Sequence, residues 1–300
     1  MRAFLFSGQG SQKVDMAAPL LAQSGIVRRQ YKTAAELVGY TLDDLTANEL
    51  AETKNTQLAV TVYSAALWDA LPDEEKQDAV LAGFSLGEYT ALYAAGVVSF
   101  ADMIQLIIWR SQFMQEVIDR SEALGMAAVL GLDEESVQAV LDNKKAATDP
   151  ETAVYAVNFN SPEQTVISGA KATIDALNPA LLEAGAGRIL PLRVAGAFHT
   201  PYFTEAADKL KEKAETLSYE APTLPLYSNL TGEKIEPSIE WPEYLKTTLV
   251  SPVYFTKELR RLESDGVRNM VEVGPGTTLI GLVKKTLPEM PTKHAIDLLD

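Results

Sequence analysis

Short apolar runs alternate with stretches of helical periodicity through the first 120 residues. Ala3 to Ser7 predicts a buried strand, and the loop GQGSQ follows it before a helix that runs to about Gln23. Further elements are predicted as follows: helices at Val27 to Val38 and Gln57 to Leu71, a strand at Ala79 to Phe84, and helices at Leu86 to Ala95 and Phe100 to Ser121. Such alternation predicts an α/β core with a parallel sheet.

The pattern changes at Gly125, where shorter elements follow one another in the order βαββαβ. They are predicted at Met126 to Leu132, Glu134 to Asp142, Ala153 to Phe159, Gln164 to Ser168, Lys171 to Glu183 and Arg188 to Val194. This is the ferredoxin-like order. We therefore expect a small ferredoxin-like domain at 125–193, inserted into a large α/β-hydrolase-like domain formed by 1–124 and 194–300.

The predicted elements resume after the insert. Thr200 is expected to cap a helix with Pro201 at its first position, running to about Leu217. Met270 to Val273 predicts a strand that ends in Gly-Pro-Gly and leads into a final helix.

Composition removes several classes of function. The chain has 300 residues and no cysteine, which excludes disulfides and a thiol nucleophile and favours the cytoplasm. Only two histidines, His199 and His294, are present, so a metal site built from several histidines is not expected. The net charge of −15 argues against nucleic acid and against anionic membrane surfaces. We expect neither a signal peptide nor a membrane span, because the apolar runs are short or interrupted.

The segment Gly83-Phe84-Ser85-Leu86-Gly87 fits the pattern G-x-S-x-G between a predicted strand and a predicted helix. A turn this sharp needs small residues beside the serine, and it exposes the serine hydroxyl above the sheet. Ser85 is therefore a candidate nucleophile, and the N–H of Leu86 a candidate donor to an oxyanion. The alternative is an ordinary strand-to-helix turn in which the serine only caps the helix.

A neutral serine needs a base, and the chain offers two histidines. His199 lies in GAFHTPYF, where the insert returns to the large domain, and such a loop faces an interdomain cleft. His294 lies in a predicted terminal strand and fits a structural role. We favour His199. No aspartate between Ser85 and His199 stands out as its partner, and a backbone carbonyl could orient the ring instead.

These residues belong to a longer series of motifs that occur in order. They are GQGSQ, NTQLAV, GFSLGEYTAL, WRSQFMQ, NFNSPEQTVISG, GAFHTPYF, SPVYF and VEVGPGTTLIGLVKK. Together they resemble the malonyl-CoA:acyl carrier protein transacylases of fatty acid synthesis and the acyltransferase domains of polyketide synthases. The resemblance spans nearly the whole chain.

The resemblance implies a two-step acyl transfer. Ser85 takes malonyl from coenzyme A as an ester, and the phosphopantetheine thiol of an acyl carrier protein then removes it. His199 serves as base and acid in both steps. The backbone N–H of Gln9 joins that of Leu86 as an oxyanion donor, and the backbone carbonyl of Tyr254 orients the histidine.

The resemblance also implies a pocket for the acyl group. Arg110 matches an arginine that binds the malonyl carboxylate, and a guanidinium suits that task because it forms two parallel hydrogen bonds. From the residues alone, Arg110 would be a surface or salt-bridged residue. Phe198 matches a phenylalanine that disfavours methylmalonyl, and Asn160 either helps to hold the site or forms a turn. Phe84 departs from the histidine that is frequent in the family.

Other functions remain open at this point. A serine esterase or thioesterase would require an acidic residue beside the histidine and would not require Arg110. A trans-acting polyketide acyltransferase would share every residue named above, whereas a non-catalytic scaffold would be expected to lack Ser85 or His199. We expect no metal and no tightly bound cofactor, an acyl carrier protein as partner, and a monomer.

Overall fold

The computed structural model describes residues 1–121, 123–194 and 196–299. The strands are β1 (Arg2–Phe6), β2 (Ala79–Gly83), β3 (Leu124–Leu130), β4 (Val154–Ser161), β5 (Gln164–Ala170), β6 (Arg188–Pro191), β7 (Met270–Val273) and β8 (Thr292–His294). The helices are α1 (Ala18–Gln23), α2 (Gly25–Val38), α3 (Ala47–Ala51), α4 (Thr53–Ala70), α5 (Asp73–Lys76), α6 (Gly87–Ala94), α7 (Phe100–Ile118), α8 (Glu134–Asn143), α9 (Lys171–Glu183), α10 (Thr204–Ala214), α11 (Trp241–Val250), α12 (Phe255–Ser264) and α13 (Thr278–Thr286).

Four strands form a parallel sheet in the order β2-β1-β7-β8. Strands β1, β2 and β7 are buried along almost their whole length, because helices cover both faces of a parallel sheet, and apart from Arg2 and the buried Glu272 they are apolar. The central helix α4 is buried from Thr53 to Trp68 apart from Lys54, and the Trp68 ring packs edge-on against the rings of Phe4 and Phe6. The predicted α/β fold with a parallel sheet is therefore confirmed.

A second sheet has four strands in the order β4-β5-β3-β6, and each pair in it is antiparallel. Helices α8 and α9 pack on it and share an apolar core with its strands, including Val129, Val137, Ile167 and Leu181. Along the chain the elements follow in the order βαββαβ that the sequence predicts.

Several elements differ from the prediction. Helices α3, α5, α11 and α12 were not predicted, and β6 ends at Pro191 rather than at Val194. Thr200 is not a side-chain cap, because its hydroxyl donates backwards to the carbonyl of Ala197 at 2.6 Å. Pro201 opens a 3₁₀ turn, Pro201–Phe203, and α10 follows that turn.

The antiparallel sheet faces the carboxyl ends of β1 and β2, since residues that follow these two strands line one cleft together with residues of β4. Strand β4 of the second sheet contacts the loop that joins α11 to α12, with the N–H of Phe159 donating to the carbonyl of Val253 at 2.9 Å. A cleft opens between the sheets at this junction. Within the described residues, no helix combines the length and apolar character needed to cross a membrane.

Candidate active site

Ser85 occupies a sharp turn between β2 and α6. Its φ angle is 52°, a left-handed conformation that costs a non-glycine residue about 1–3 kcal/mol. The flanking glycines make the turn possible, since a Cβ on Gly83 would overlap the backbone of Gly87 and Glu88, and a Cβ on Gly87 would overlap the carbonyl of Phe6. The steric argument made from the sequence for both glycines is therefore confirmed.

The Ser85 hydroxyl lies against the imidazole of His199, with 2.7 Å between Oγ and Nε2. His199 also has a positive φ, 62°, so both members of the pair are held in strained backbone conformations. The other ring nitrogen, Nδ1, lies 3.1 Å from the carbonyl oxygens of Thr248 and Ser251. Because carbonyl oxygens only accept, Nδ1 carries the proton and Nε2 is free to accept one from Ser85.

The expectation that the Tyr254 carbonyl orients the histidine is wrong. That carbonyl accepts the N–H of Glu258 at 3.0 Å, in the first turn of α12. Helix α11 ends at Val250, and the carbonyls of its last turn have no partner within the helix, so the carbonyl of Thr248 is available. The groups that face Nδ1 are nevertheless backbone carbonyls rather than a carboxylate, which is the kind of partner expected from the sequence.

His199 is only 7% exposed. Burial lowers the pKa of His199 to about 4, and the positive charge of Arg110 acts in the same direction. The two carbonyls oppose this shift, because they favour the protonated ring. The ring is therefore neutral at pH 7, the state in which it can accept a proton.

Two oxyanion donors are expected from the sequence, the backbone N–H groups of Gln9 and of Leu86, the residue after Ser85. Both residues line the same cleft as Ser85. Neither N–H donates to an acceptor among the described residues. By contrast, the N–H groups of Gly87 and Glu88 donate to the carbonyls of Phe84 and Ser85. Both residues therefore keep a backbone donor for a ligand in the cleft.

Arg110 lies inside the protein rather than on its surface. It is 5% exposed, and its guanidinium lies 5.5 Å from the centre of the Tyr89 ring. Its Nη1 donates to the side-chain oxygen of Gln57, and its Nε has no partner among the described residues. No described carboxylate forms a salt bridge with Arg110, although Glu88 acts on its charge at longer range. A buried cation without a paired anion is costly unless a ligand supplies the anion.

The cleft encloses about 280 Å³ and brings most of the expected site residues together. Its lining includes Gln9, Phe84, Ser85, Leu86, Arg110, Asn160, Phe198 and His199. Phe198 is 9% exposed, and the centre of its ring lies 5.5 Å from the centre of the Phe203 ring. The side-chain oxygen of Asn160 is buried without a hydrogen-bond partner among the described residues, so it is available to a ligand.

His294 does not line this cleft. Its Nε2 lies 2.9 Å from the carbonyl of Gly274, and its Nδ1 accepts the N–H of Ile296. Both ring nitrogens are therefore engaged in local structure, and His199 is the histidine that meets Ser85.

Sequence reasoning missed four residues of the site, namely Gln57, Thr248, Ser251 and Asn229. Gln57 lies within the motif NTQLAV and Ser251 within SPVYF, so both motifs contained a signal that was not assigned to a residue. Asn229 was missed entirely, although its side-chain oxygen accepts the N–H of Ser85 at 2.6 Å. An asparagine in SNLTG is typical of a turn, and nothing in its sequence context distinguishes it.

Metal ligands are not grouped in the part of the chain that the structure describes. Across residues 1–121, 123–194 and 196–299, no three His, Asp or Glu side chains are arranged to hold a metal ion.

Comparison with known proteins agrees with this geometry. Residues 3–298 match the model of the acyl transferase domain family. The chain is 38% identical to the malonyl CoA-acyl carrier protein transacylase of Salmonella typhimurium, over 94% of this chain and 92% of that protein.

Solved structures give the same result. An acyl carrier protein S-malonyltransferase from Vibrio cholerae superposes with a TM-score of 0.92 at 34% identity, covering 100% of this chain and 99% of the other. A malonyl-transacylase in complex with a type II polyketide acyl-carrier protein superposes with a TM-score of 0.87 at 33% identity, covering 98% and 94%. The chain belongs to the family of malonyl-CoA:acyl carrier protein transacylases.

Proposed function

We propose that this chain transfers a malonyl group from coenzyme A, through an ester on Ser85, to the phosphopantetheine thiol of an acyl carrier protein. One observation supports this function most strongly: Arg110 is buried in the cleft that also holds Ser85 and His199, and no carboxylate among the described residues forms a salt bridge with it. A substrate that ends in a carboxylate supplies the missing anion, and a guanidinium binds a carboxylate through two parallel hydrogen bonds.

In the first step, Ser85 attacks the thioester carbonyl of malonyl-CoA. His199 Nε2, at 2.7 Å from the hydroxyl, takes the serine proton as the new C–O bond forms. The tetrahedral oxyanion accepts hydrogen bonds from the N–H groups of Gln9 and Leu86. The intermediate collapses when His199 returns the proton to the coenzyme A sulfur, which leaves as a thiol.

In the second step, the carrier thiol attacks the Ser85 ester. His199 deprotonates the thiol and then protonates Ser85 Oγ as the ester bond breaks. The carbonyls of Thr248 and Ser251 keep the imidazole in the same orientation through both steps, because they hold its Nδ1–H. A single base therefore serves two nucleophiles and two leaving groups.

The acyl group lies between Arg110 and Phe198. Gln57 holds the guanidinium from one side, and the Tyr89 ring lies against it. The Phe198 ring occupies the space that the extra methyl of methylmalonyl would need, a preference of at most a few kcal/mol. Asn160 offers to the bound substrate a side-chain oxygen that has no partner among the described residues.

The arrangement favours transfer over hydrolysis. A serine esterase or thioesterase pairs its histidine with a carboxylate, whereas the Nδ1 of His199 faces two neutral carbonyls. A neutral partner stabilises the imidazolium less, which makes a milder base. An ester that must survive until a carrier thiol arrives is better matched by a milder base in a buried site.

We also propose the organisation in which this chemistry occurs. Residues 125–193 form a small ferredoxin-like domain inserted into an α/β-hydrolase-like domain of 1–124 and 194–300, consistent with the strand order of the antiparallel sheet. The protein acts in the cytoplasm as a monomer, with malonyl-CoA and the carrier as its substrates and no tightly bound cofactor.

A coupled assay of coenzyme A release tests the function. With malonyl-CoA, steady release should require the carrier in its phosphopantetheine-bearing form and should stop when the unmodified carrier replaces it. If coenzyme A were released equally fast in the absence of any carrier, with water as the acceptor, the chain would instead be a hydrolase. Comparing fatty acid and polyketide carriers in the same assay separates the two pathways that this family serves.

A further inference from the structure

A buried hydrogen-bond network lies beneath the serine turn, and it converges on Asn229. Ser85 has a left-handed φ of 52°, and its backbone N–H donates to Asn229 Oδ1 at 2.6 Å. Asn229 is only 2% exposed and does not line the catalytic cleft. Asn229 therefore contacts the nucleophile through the backbone N–H of Ser85, on the side away from the cleft, and does not contact the substrate.

The orientation of the Asn229 amide is fixed by its neighbours. The Ser85 N–H is only a donor, so the atom that faces it must be the amide oxygen. The amide nitrogen then faces Glu258, and it donates to Glu258 Oε2 at 2.7 Å. On the backbone, the Asn229 N–H donates to Glu88 Oε1 at 2.9 Å, and its carbonyl accepts the N–H of Tyr254 at 2.8 Å. Both the side-chain amide and the backbone of Asn229 are therefore fixed by hydrogen bonds.

The same hydrogen-bond network also includes the helix that orients His199. The Tyr244 hydroxyl on α11 lies 2.6 Å from both Glu88 Oε1 and Ser228 Oγ. One turn later, α11 supplies the Thr248 carbonyl that holds His199. A helix fixed at Tyr244 by the network thus places the acceptor that orients the imidazole.

The acidic members of the network suit a structural task rather than proton transfer. Glu258 is fully buried, and burial beside Glu88 raises its pKa well above the usual value. A neutral Glu258 still presents a carbonyl-type oxygen to the Asn229 amide. It is separated from the Ser85 hydroxyl by the Asn229 side chain.

We propose that Asn229 is a positioning residue for the nucleophile: held by Glu258 and Glu88, it fixes the strained backbone of Ser85 so that the hydroxyl points at His199. Without that acceptor, Ser85 can relax from the left-handed conformation, and the separation of Oγ from Nε2 is no longer held at 2.7 Å. The proposal rests on the proposed function only for its substrate, because any reaction of Ser85 would need the same geometry.

The test compares Asn229→Ala with Glu258→Ala and Glu258→Gln in two reactions of the full chain. The first reaction is acylation by malonyl-CoA, and the second is phosphonylation of Ser85 by a fluorophosphonate, which needs no malonyl site. Asn229→Ala should lower kcat and the phosphonylation rate by roughly 10- to 100-fold and leave KM within about threefold, because positioning affects the reacting atoms rather than substrate binding.

The Glu258 variants report on the support of Asn229. Glu258→Ala should lower both rates, whereas Glu258→Gln should restore them to within about threefold of wild type, since the glutamine oxygen still accepts from the Asn229 amide. In the double variant, adding Glu258→Ala to Asn229→Ala should lower the two rates by less than about a further twofold, because Glu258 acts through Asn229.

Leu181→Ala is the control for a general loss of stability. Leu181 is fully buried on α9, within the core beside the antiparallel sheet. The Leu181→Ala variant should have a lower melting temperature, and at temperatures below its unfolding both rates should equal those of wild type. If Asn229→Ala also keeps both rates within about twofold while only losing stability, the positioning role is overturned. If wild type reacts with the fluorophosphonate and not with malonyl-CoA, the proposed substrate fails while the test of Asn229 stands.

Discussion

At the scale of single residues, the burial of His199 sets the pH range in which the enzyme can work. Burial and Arg110 together lower the pKa of this imidazole to about 4. Only the neutral ring accepts the serine proton, so the rate should be constant from about pH 6 to 8 and fall as the pH drops towards about 4. The phosphonylation rate of Ser85 measured against pH checks this with an uncharged reagent. A midpoint near the ordinary value of about 6.5 would show that the ring is not shielded in this way.

Arg110 should decide between acyl groups that differ by a carboxylate. Arg110→Ala removes a charge-assisted pair of hydrogen bonds, so kcat/KM for malonyl-CoA should fall by about 10- to 100-fold while that for acetyl-CoA changes little. Arg120→Ala is a matched control, since Arg120 follows α7, which carries Arg110, but is exposed and paired with Glu205. An Arg110→Ala enzyme that kept its preference for malonyl would refute the carboxylate role.

The sequence predicted the reacting pair but not what holds it. Ser85 and His199 could be identified because G-x-S-x-G implies a strained turn and because only two histidines were available. The acceptor of the histidine proton was assigned to Tyr254 and belongs to Thr248 and Ser251. Backbone carbonyls carry no residue-type signal, so only the path of the chain decides which one reaches the ring.

At the scale of elements, the junction between β2 and α6 depends on how closely the helix approaches β1. Gly87→Ala would push a methyl group into the Phe6 carbonyl, and neither backbone can move without disturbing the turn. We expect a loss of about 3 kcal/mol in the free energy of unfolding, together with slower phosphonylation of Ser85.

Gly281→Ala is the natural comparison for that variant. It lies within α13, and a Cβ there meets no atom within 4 Å. Alanine at this position should be neutral or stabilise by about 0.5–1 kcal/mol. Urea unfolding of both variants measures the difference. Equal effects at the two positions would contradict the close packing described for Gly87.

The elements near the site were predicted unevenly. Strands β1 and β2 were found because fully buried parallel strands are continuous apolar runs, and β7 was found although Glu272 interrupts its apolar residues. Helices α11 and α12 were missed. The intrinsic helical signal of α11 is weak because the helix contains a proline and three β-branched residues, Thr247, Thr248 and Val250. Tertiary packing of its buried side chains, which include Trp241, Tyr244 and Leu245, overrides this weak propensity. The missed helix is the one that orients His199.

At the scale of the whole molecule, the buried acids link stability to pH. Glu258 has a pKa well above its usual value in the folded protein, so it keeps a proton there that it loses in the unfolded chain. Its contribution is present at low pH and is lost as the pH rises through the window between the unfolded and folded pKa values. The slope is about 1.4 kcal/mol per pH unit.

Glu258→Gln removes this dependence, because glutamine does not titrate. The melting temperature of the variant relative to wild type should therefore rise as the pH increases from 5 to 8. Thermal unfolding at several pH values measures it. A difference that stayed constant across this range would mean that Glu258 is ionised in the folded state.

The central claim is that Ser85 carries malonyl between two thiols, and intact-protein mass spectrometry tests it most directly. Wild type and Ser85→Ala are mixed briefly with malonyl-CoA, and a phosphopantetheine-bearing acyl carrier protein is then added. We predict an adduct of malonyl mass on wild type alone, which the carrier removes rapidly and water removes slowly. An adduct on Ser85→Ala, or rapid loss of the wild-type adduct to water without any carrier, would contradict the claim.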